Sequence, residues 1–376
     1  MTTLSSSVSF PVKLQKLLLI YLGILMLCVA SCKSPAEETV LRNTSLFSGF
    51  EKAGTSNKGL ILVSNKSGCS MCELFEVDLM KDQDYAQHIY KDFVIQRIDE
   101  NATGSKWLSR ILNRGSFPIF LFFDTERKLI GIEMGTVKKP QMEKLLEKVR
   151  KKEVWVDHYY QPGAESKMQS SRLLQYVGGL IESQYFWDQY GRNKDSAALT
   201  AMPEPLNRSL SAYPSFYNRY LLAKYYNTVK DDQKARETAL AALAVEDPSA
   251  LYFNSGLRTE MKMLVDANYN VYSDAYIGLS DTEQQLGKIK FGEQKTVDFS
   301  IKNIGKQDLI LNKIITDCDC TVADYPKTAI KPGTNGIIHV NFTAKRSGEF
   351  THMLEIGANA SNAPLQLTIK GLVLGD

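Results

Sequence analysis

Hydrophobic periodicity changes twice along this chain, and the changes divide it into three segments. Apolar runs alternate with amphipathic helical patterns over residues 45–152 (the α/β segment), helical patterns alone fill 153–270 (the helical segment), and short alternating runs fill 271–376 (the β segment). A chain of 376 residues also exceeds the ~250 to 300 residues that one hydrophobic core serves. The sequence therefore predicts a multidomain protein with an α/β fold, an α-helical middle and an all-β sandwich.

The α/β segment has its patterns in the order β-α-β-α-β-β-α. The last helix begins at Pro140 and carries apolar side chains at i, i+3, i+4 and i+7. The elements before it are predicted as strand Leu60–Val63, helix Cys69–Met80, strand Phe93–Ile98, helix Gly104–Leu112, and strands Pro118–Phe123 and Lys128–Glu133. This order predicts a mixed sheet with helices on both faces.

The helical segment lacks strand alternation and is rich in helix formers and aromatic residues. A helix bearing Leu221, Leu222 and Tyr226 precedes an alanine-rich helix, a pattern that resembles one tetratricopeptide-like hairpin. The aromatic side chains form either a ligand platform or the packing between helices, and packing is the favoured interpretation. They include Tyr185, Phe186, Trp187, Tyr217 and Tyr220.

The β segment consists of short alternating runs separated by glycine and proline turns. The runs are Val297–Ile301, Leu309–Ile314, Ile337–Phe342, Thr351–Ile356 and Leu365–Ile369. This spacing predicts an antiparallel β-sandwich of about a hundred residues.

The N-terminus is predicted to be an export signal outside the fold. Lys13 and Lys16 precede Leu17–Ala30, an apolar run of 14 residues, which is shorter than the ~20 residues that span a bilayer. The run leads into Val29-Ala30-Ser31-Cys32, which resembles the lipobox of bacterial lipoproteins. The resemblance implies a signal peptide over 1–31, lipidation of Cys32 and a polar tether over 32–44. An uncleaved anchor helix is the alternative.

Charge and cysteine usage narrow the classes of function. Lys+Arg 45 against Asp+Glu 42 leaves a formal net charge of +3, and no run of like charge suggests a nucleic-acid partner. An exported protein can form disulfides. Of six cysteines, Cys28 leaves with the signal and Cys32 is lipidated. Two close pairs remain, Cys69 with Cys72 and Cys318 with Cys320.

The first pair lies directly after a buried strand and at the start of a helix, the context in which C-x-x-C indicates redox chemistry. Unpaired backbone N–H groups at a helix N-terminus favour the thiolate of the first cysteine. Cys69 is therefore predicted to be the nucleophile, and Cys72, three residues later, to resolve the mixed disulfide.

Together with Gly115-Ser116-Phe117-Pro118, this motif resembles a thioredoxin-like domain over about 44–152. The resemblance implies a cis-proline at Pro118 facing the redox pair and a backbone at Phe117 that binds the substrate peptide. Val63 stands where the family has a buried Asp. Gly68 replaces the Trp that precedes the first cysteine, and Ser70-Met71 replace Gly-Pro between the pair.

Two other interpretations of Cys69 and Cys72 remain open. One is a structural disulfide, although so small a loop constrains the unfolded chain little. The other is a copper site with Met71 as a third soft ligand, for which the four histidines show no suitable spacing. No organic cofactor and no metal are expected.

The second pair belongs to a series of motifs that includes Lys331-Pro332-Gly333 and Cys318-Asp319-Cys320-Thr321. The series resembles, over about 276–372, a bacterial family of Ig-like domains of unknown function marked by Cys-Gly-Cys-Thr. In a straight strand, residues i and i+2 are near the upper distance limit for a disulfide, so a bond here requires a bend. Two buried thiols are the alternative, and a metal site would require His339 or His352 to converge on the pair.

The predicted function is a lipid-anchored thiol-disulfide oxidoreductase of the bacterial cell envelope, acting on protein thiols and disulfides with an envelope electron donor or acceptor. Lys33 after the lipidated cysteine favours the outer membrane, facing the periplasm, because inner-membrane retention in enteric bacteria is associated with Asp there. The alternative is a non-enzymatic envelope scaffold with an inert thioredoxin-like fold.

Overall fold

The computed structural model describes residues 40–42, 47–65, 72, 74, 79–99, 106–112, 118–160, 168–246, 254–318 and 320–375. From Leu41 onward, the described residues form one compact unit. The predicted signal peptide, Cys32 and nearly all of the tether lie outside the described residues. Among the residues that are described, no helix is both long enough and apolar enough to cross a bilayer.

The α/β segment forms a mixed sheet, as predicted. Its described strands are β1 Val40–Arg42, β2 Gly59–Asn65, β3 Phe93–Asp99, β4 Ile119–Phe123, β5 Leu129–Met134 and β6 Trp155–Val156. Its described helices are α1 Ser48–Ser56, α2 Gln83–Tyr90, α3 Lys106–Leu112 and α4 Lys139–Arg150. The sheet order is β1-β3-β2-β4-β5-β6, with β2–β3 and β5–β6 parallel and β2–β4 and β4–β5 antiparallel.

Four of these elements were not predicted from the sequence. They are β1, β6, α1 and α2, and β6 lies beyond the predicted boundary at residue 152. The predicted helix Cys69–Met80 falls mostly outside the described residues, but Cys72 and Leu74 are both helical. All four strands predicted in this segment are present, each within one or two residues of its expected bounds.

The helical segment contains α5 Ser170–Asn193, α6 Ser196–Ala201, α7 Pro203–Ala212, α8 Phe216–Thr228, α9 Asp232–Leu243 and α10 Ser255–Val265 within its described residues. Ser215 begins α8 with a capping box, because its hydroxyl accepts from Asn218 N at 3.3 Å and its own N–H donates to Asn218 Oδ1 at 3.0 Å. Helices α8 and α9 pack against each other as the predicted hairpin, with Ala235 and Ala239 buried.

One hydrophobic core joins the sheet to the helical segment. Leu62 and Leu121 of the sheet belong to the same buried cluster as Leu180 of α5 and Leu221 of α8. Phe122, which points to the opposite face of the sheet, is also fully buried but lies outside that cluster. The helical segment therefore covers one face of the sheet.

The aromatic side chains of the helical segment contribute to this core, as the favoured interpretation predicted. Tyr185 packs against Phe47 and Phe50 beside and within α1, with ring centroids 5.6 Å apart in both pairs. Tyr217 and Tyr220 are buried. These rings therefore serve packing between elements.

The β segment contains two four-stranded sheets around a second core. Its strands are β7 Ile277–Leu279, β8 Glu283–Lys290, β9 Gln294–Asn303, β10 Leu311–Thr316, β11 Thr321–Asp324, β12 Asn335–Thr343, β13 Gly348–Ala358 and β14 Leu365–Leu374. The sheet orders are β10-β13-β14-β8 and β11-β12-β9-β7. In β12, the buried Ile338, Val340 and Phe342 alternate with solvent-facing residues and fill a cluster shared by both sheets.

One strand pair corrects the prediction of an entirely antiparallel fold. Strands β14 and β8 run parallel, whereas the other pairs in these sheets are antiparallel. The next strand after β8 is β9, which belongs to the other sheet. No hairpin connects β8 to β14, so turn geometry does not force them to be antiparallel.

Candidate functional site

The predicted redox pair follows β2 in the chain, and β2 is flanked in the sheet by β3 and β4. Cys72 is 3% exposed and disulfide-bonded. Cys69 lies outside the described residues, so its pairing with Cys72 and its role as nucleophile stay predictions. A buried position suits a resolving cysteine, because only the attacking thiol must reach a substrate.

Pro118 lies beside the C-terminal end of β2. Strands β2 and β4 are antiparallel with Ser64 opposite Ile119, and Pro118 directly precedes Ile119. Cys72 follows the same end of β2 in the chain. Pro118 is buried, and its carbonyl oxygen accepts from Gly135 N at 2.8 Å. Gly135 has φ +78°, a left-handed conformation that favours glycine. Phe117, and with it the predicted cis bond to Pro118, falls outside the described residues.

A buried carboxyl that the sequence interpretation missed lies on β5. Val63, the position of the family's buried Asp, is opposite Phe120, which is opposite Glu133 on β5. Glu133 is 9% exposed, and Gln141 Nε2 donates to its Oε1 at 2.9 Å. Burial raises the pKa of Glu133 above its usual value.

Glu133 does not replace the missing Asp. The two strand spacings between it and Val63 amount to about 10 Å. The signal in the sequence was one acidic residue inside the apolar strand Leu129–Met134.

The second cysteine pair occupies the bend between β10 and β11. Cys318 and Cys320 form a disulfide with a Cα–Cα distance of 5.2 Å, inside the ~4.4 to 6.8 Å typical of such bonds. Strand β10 ends at Thr316 and β11 begins at Thr321, so the pair lies in the connection and not in a strand. The bend that the spacing required is therefore present.

His352 converges on this disulfide from β13. Its Nε2 atom lies 3.4 Å from Cys320 Sγ and 3.9 Å from Cys318 Sγ. Its Nδ1 atom lies 3.1 Å from Asp317 Oδ1, while Asp317 Oδ2 accepts from Met353 N at 2.8 Å. The Asp317 carboxylate thus holds both the ring and the backbone of β13.

A threonine hydroxyl and two phenylalanine rings complete the surroundings of the disulfide and of His352. The hydroxyl oxygen of Thr321 lies 3.4 Å from Cys318 Sγ and 3.6 Å from Cys320 Sγ. Phe350 stacks on His352 with ring centroids 5.5 Å apart and on Phe342 at 4.3 Å. These rings cover one side of the His352 imidazole.

The two histidines considered for this pair differ in position. The Nδ1 atom of His339 on β12 lies 2.7 Å from Asp298 Oδ1, and both side chains are about half exposed. His352 is the one that reaches the sulfurs. Once reduced, Cys318 and Cys320 with His352 could offer three ligand atoms within 4.8 Å of one another.

Comparison with known families assigns two parts of the chain. A model described as thioredoxin-like domain matches residues 46–150. The first segment is a thioredoxin-like domain. A second model, protein of unknown function (DUF1573), matches residues 277–373, so the β segment contains a DUF1573 domain. No curated protein matches the chain.

Similar solved structures each cover less than a third of the chain. A protein of unknown function from Porphyromonas gingivalis W83 is 21% identical over 28% of this chain and 50% of that one, with TM-score 0.25. A thioredoxin from Thermus thermophilus is 14% identical over 30% of this chain and 88% of its own length, with TM-score 0.27. A PapD-like domain of human CEP192 is 7% identical over 29% and 91%, with TM-score 0.25. The chain spans half the length of the first.

Proposed function

We propose that this protein is a lipid-anchored thiol-disulfide oxidoreductase of the bacterial cell envelope, with Cys69 as nucleophile and Cys72 as resolving cysteine. The observation that carries the proposal is the register of β2 and β4. Ser64 is opposite Ile119, so Pro118 lies beside the C-terminal end of β2, the end after which Cys72 follows in the chain. The thioredoxin-like domain and the buried, disulfide-bonded Cys72 support it.

The reaction transfers two electrons between protein thiols. In the reducing direction, the Cys69 thiolate attacks a substrate disulfide and one substrate sulfur leaves as a thiolate. The Cys72 thiolate then attacks the sulfur of Cys69, the second substrate thiolate leaves, and a Cys69–Cys72 disulfide remains. An envelope dithiol donor reduces this disulfide again, and an oxidising role runs the same steps in reverse. Phe117 and Pro118 present the substrate peptide.

Lipidation of Cys32 would hold the domains at the membrane, with the outer membrane facing the periplasm as the proposed location. The DUF1573 domain is proposed to have an Ig-like sandwich form. The second candidate function, a redox-inert envelope scaffold, is favoured by the apolar Val63 at the family's Asp position, which is 1% exposed.

A trapping experiment separates the two functions. Cys72→Ser is expected to accumulate substrates as mixed disulfides on Cys69, because the resolving thiol is gone. Cys69→Ser is the matched control and is expected to trap nothing. Both variants are incubated with an envelope extract, and adducts are identified by non-reducing electrophoresis and mass spectrometry. Trapping by neither variant would favour the scaffold, and equal trapping by the two variants would overturn the roles assigned to Cys69 and Cys72.

A further inference from the structure

We propose that Cys318–Cys320 is a second redox-active disulfide, with His352 as its acid–base catalyst, Asp317 as the positioning residue and protein dithiols as its reaction partners. The proposal is independent of the chemistry at Cys69 and Cys72. It stands on a sulfur pair, an imidazole and a carboxylate that lie in one continuous chain of contacts.

Burial distinguishes the roles of the two sulfurs. Cys318 is partly exposed, whereas Cys320 is 9% exposed. An incoming thiolate therefore reaches Cys318 more readily, and Cys320 becomes the leaving group. The leaving sulfur is the one closest to His352 Nε2, at 3.4 Å. The backbone N–H of Cys320 also donates to Cys318 Sγ at 3.2 Å, which orients that sulfur.

The contacts of Asp317 determine which nitrogen of His352 faces the sulfurs. A carboxylate only accepts hydrogen bonds, so the Nδ1 atom that faces Asp317 Oδ1 carries a proton. Nε2 is then free to take or give a proton at the sulfurs. Because Asp317 Oδ2 is held by Met353 N, the carboxylate cannot easily turn away from the ring.

The atoms and electrons balance as an exchange with a dithiol. One partner thiolate attacks Cys318 Sγ, a partner–Cys318 bond forms, the Cys318–Cys320 bond breaks, and Cys320 receives a proton from protonated His352. The second partner thiolate attacks the partner sulfur, its disulfide closes, and Cys318 leaves as a thiolate. Two electrons pass from the partner dithiol to the pair. In the oxidising direction, His352 removes the proton from the Cys320 thiol.

Other charged groups near His352 are engaged elsewhere. Among the described residues, the one opposite His352 on the neighbouring strand β14 is the apolar Ile369. The next residue, Lys370, forms an ion pair with Glu283 at 2.6 Å. The rings of Phe342 and Phe350 lie on the remaining side. Apart from the ionisation of the attacking partner thiol, a pH dependence of exchange would therefore arise from His352, Asp317 and the two cysteines.

The test uses the full-length chain in detergent with Cys28, Cys32, Cys69 and Cys72 all changed to Ser, so that the second pair alone reacts. Glutathione reduces the disulfide at a series of pH values. At each time point the protein is quenched in acid, separated from glutathione and alkylated, and the alkylated cysteines of the protein are counted by mass spectrometry. In this background, His352→Asn is expected to slow the exchange about 100-fold and to leave only the pH dependence that the ionisation of the glutathione thiol imposes. His339→Asn, which alters the other His–Asp pair of the domain, is the matched control and is expected to leave rate and profile unchanged.

A second variant covers the case in which His352→Asn does not fold. Asp317→Asn leaves one oxygen that can accept from His352 Nδ1 but removes the charge and the second acceptor, which Met353 N uses. It is expected to displace the pH profile with a smaller loss of rate. The proposal is overturned if both folded variants exchange like His339→Asn.

The reduced background protein is also mixed with Zn²⁺ alone. Stoichiometric binding that protects both thiols from alkylation, and that His352→Asn removes, would identify a metal site and overturn the redox proposal. Continued alkylation and reoxidation in the presence of Zn²⁺ are the expected results. A failure here leaves the proposed function of Cys69 and Cys72 untouched, since neither is present.

Discussion

Glu133 is a buried acid whose ionisation opposes folding. Burial raises its pKa in the folded protein above the ordinary value of 4.5, despite the hydrogen bond from Gln141. At low pH the Glu133 carboxyl holds its proton in both the folded and the unfolded chain, so it does not lower the stability of the fold. The destabilisation appears as the pH rises above 4.5 and is complete above the folded-state pKa.

Replacing Glu133 by Gln is therefore expected to stabilise the protein at pH 7. The amide keeps an acceptor for Gln141 and carries no charge, so Tm at pH 7 is expected to rise by a few degrees. Thermal unfolding of wild type and Glu133→Gln at pH 7 and pH 4 measures it. The exposed Glu126→Gln is the control. A gain of equal size at both pH values would contradict the role of ionisation.

Single residues differ in how far the sequence could locate them. Cys69, Cys72 and Pro118 were found because their spacing is local and is tied to one strand and one helix. His352 lies 32 positions after Cys320, and its approach depends on the pairing of β10 with β13, where Thr316 is opposite Leu354. Strand register follows from tertiary packing, so the sequence indicated two candidate histidines and could not choose between them.

At the scale of elements, α5 depends on two adjacent glycines. A Cβ on Gly178 would lie 2.9 Å from Leu129 Cβ on β5, and one on Gly179 would lie 2.5 Å from the carbonyl oxygen of Pro205. The helix therefore touches the sheet on one side and α7 on the other at closer range than any side chain allows. Gly191, near the end of the same helix, has open space around it.

These contacts predict opposite effects of the same substitution along one helix. Gly179→Ala is expected to lower the free energy of unfolding by about 1 to 2 kcal/mol, because overpacking outweighs the gain in helix propensity. Gly191→Ala is expected to raise it by about 0.5 to 1 kcal/mol. Urea unfolding of both variants measures the difference. Stabilisation by Gly179→Ala would show that α5 and α7 are less closely packed than described.

Periodicity located the elements that are long and buried, and it missed the short ones. β4 is apolar throughout and β2 contains the apolar run Leu60–Val63, and nearly every residue of both strands is buried, which made them visible in the sequence. Strands β1 and β6 have three and two residues, too few for any period. α1 contains two glycines and has no side-chain cap, so its local signals are weak. α2 did carry a signal, the Asp82 cap that accepts from Tyr85 N at 3.1 Å.

At the scale of the whole molecule, two cores meet at a polar junction. Ser255 Oγ donates to Ala358 O at 2.8 Å, and Gly256 N donates to Ala363 O at 2.7 Å. Asp274 is bound by Lys262 and Tyr269. Burial raises the pKa of Asp274, but these hydrogen bonds outweigh it and hold the pKa below 3.8. Because the pKa is lower in the folded protein, ionised Asp274 stabilises the fold. This stabilisation is complete above pH 3.8 and is lost as the pH falls through the folded-state pKa.

The separate cores predict two unfolding transitions in calorimetry at neutral pH. The thioredoxin-like domain and the helical segment share one buried cluster and should unfold together, while the DUF1573 domain unfolds by itself. Gly179→Ala should move only the transition of the shared core. A single transition, or a shift of both by this variant, would mean that the junction couples the cores strongly.

The shared core determines where evolution can divide this gene. A recombination event at the codon for residue 152 would separate strands β1 to β5 from β6, α5 and α8, and it would leave the apolar face of Leu62 and Leu121 without its cover. A break after α10 would leave two folding units, each with a complete hydrophobic core, because the second core begins with Ala275. We therefore expect the helical segment to be inherited with the domain before it and the DUF1573 domain to be the part that can be exchanged between genes.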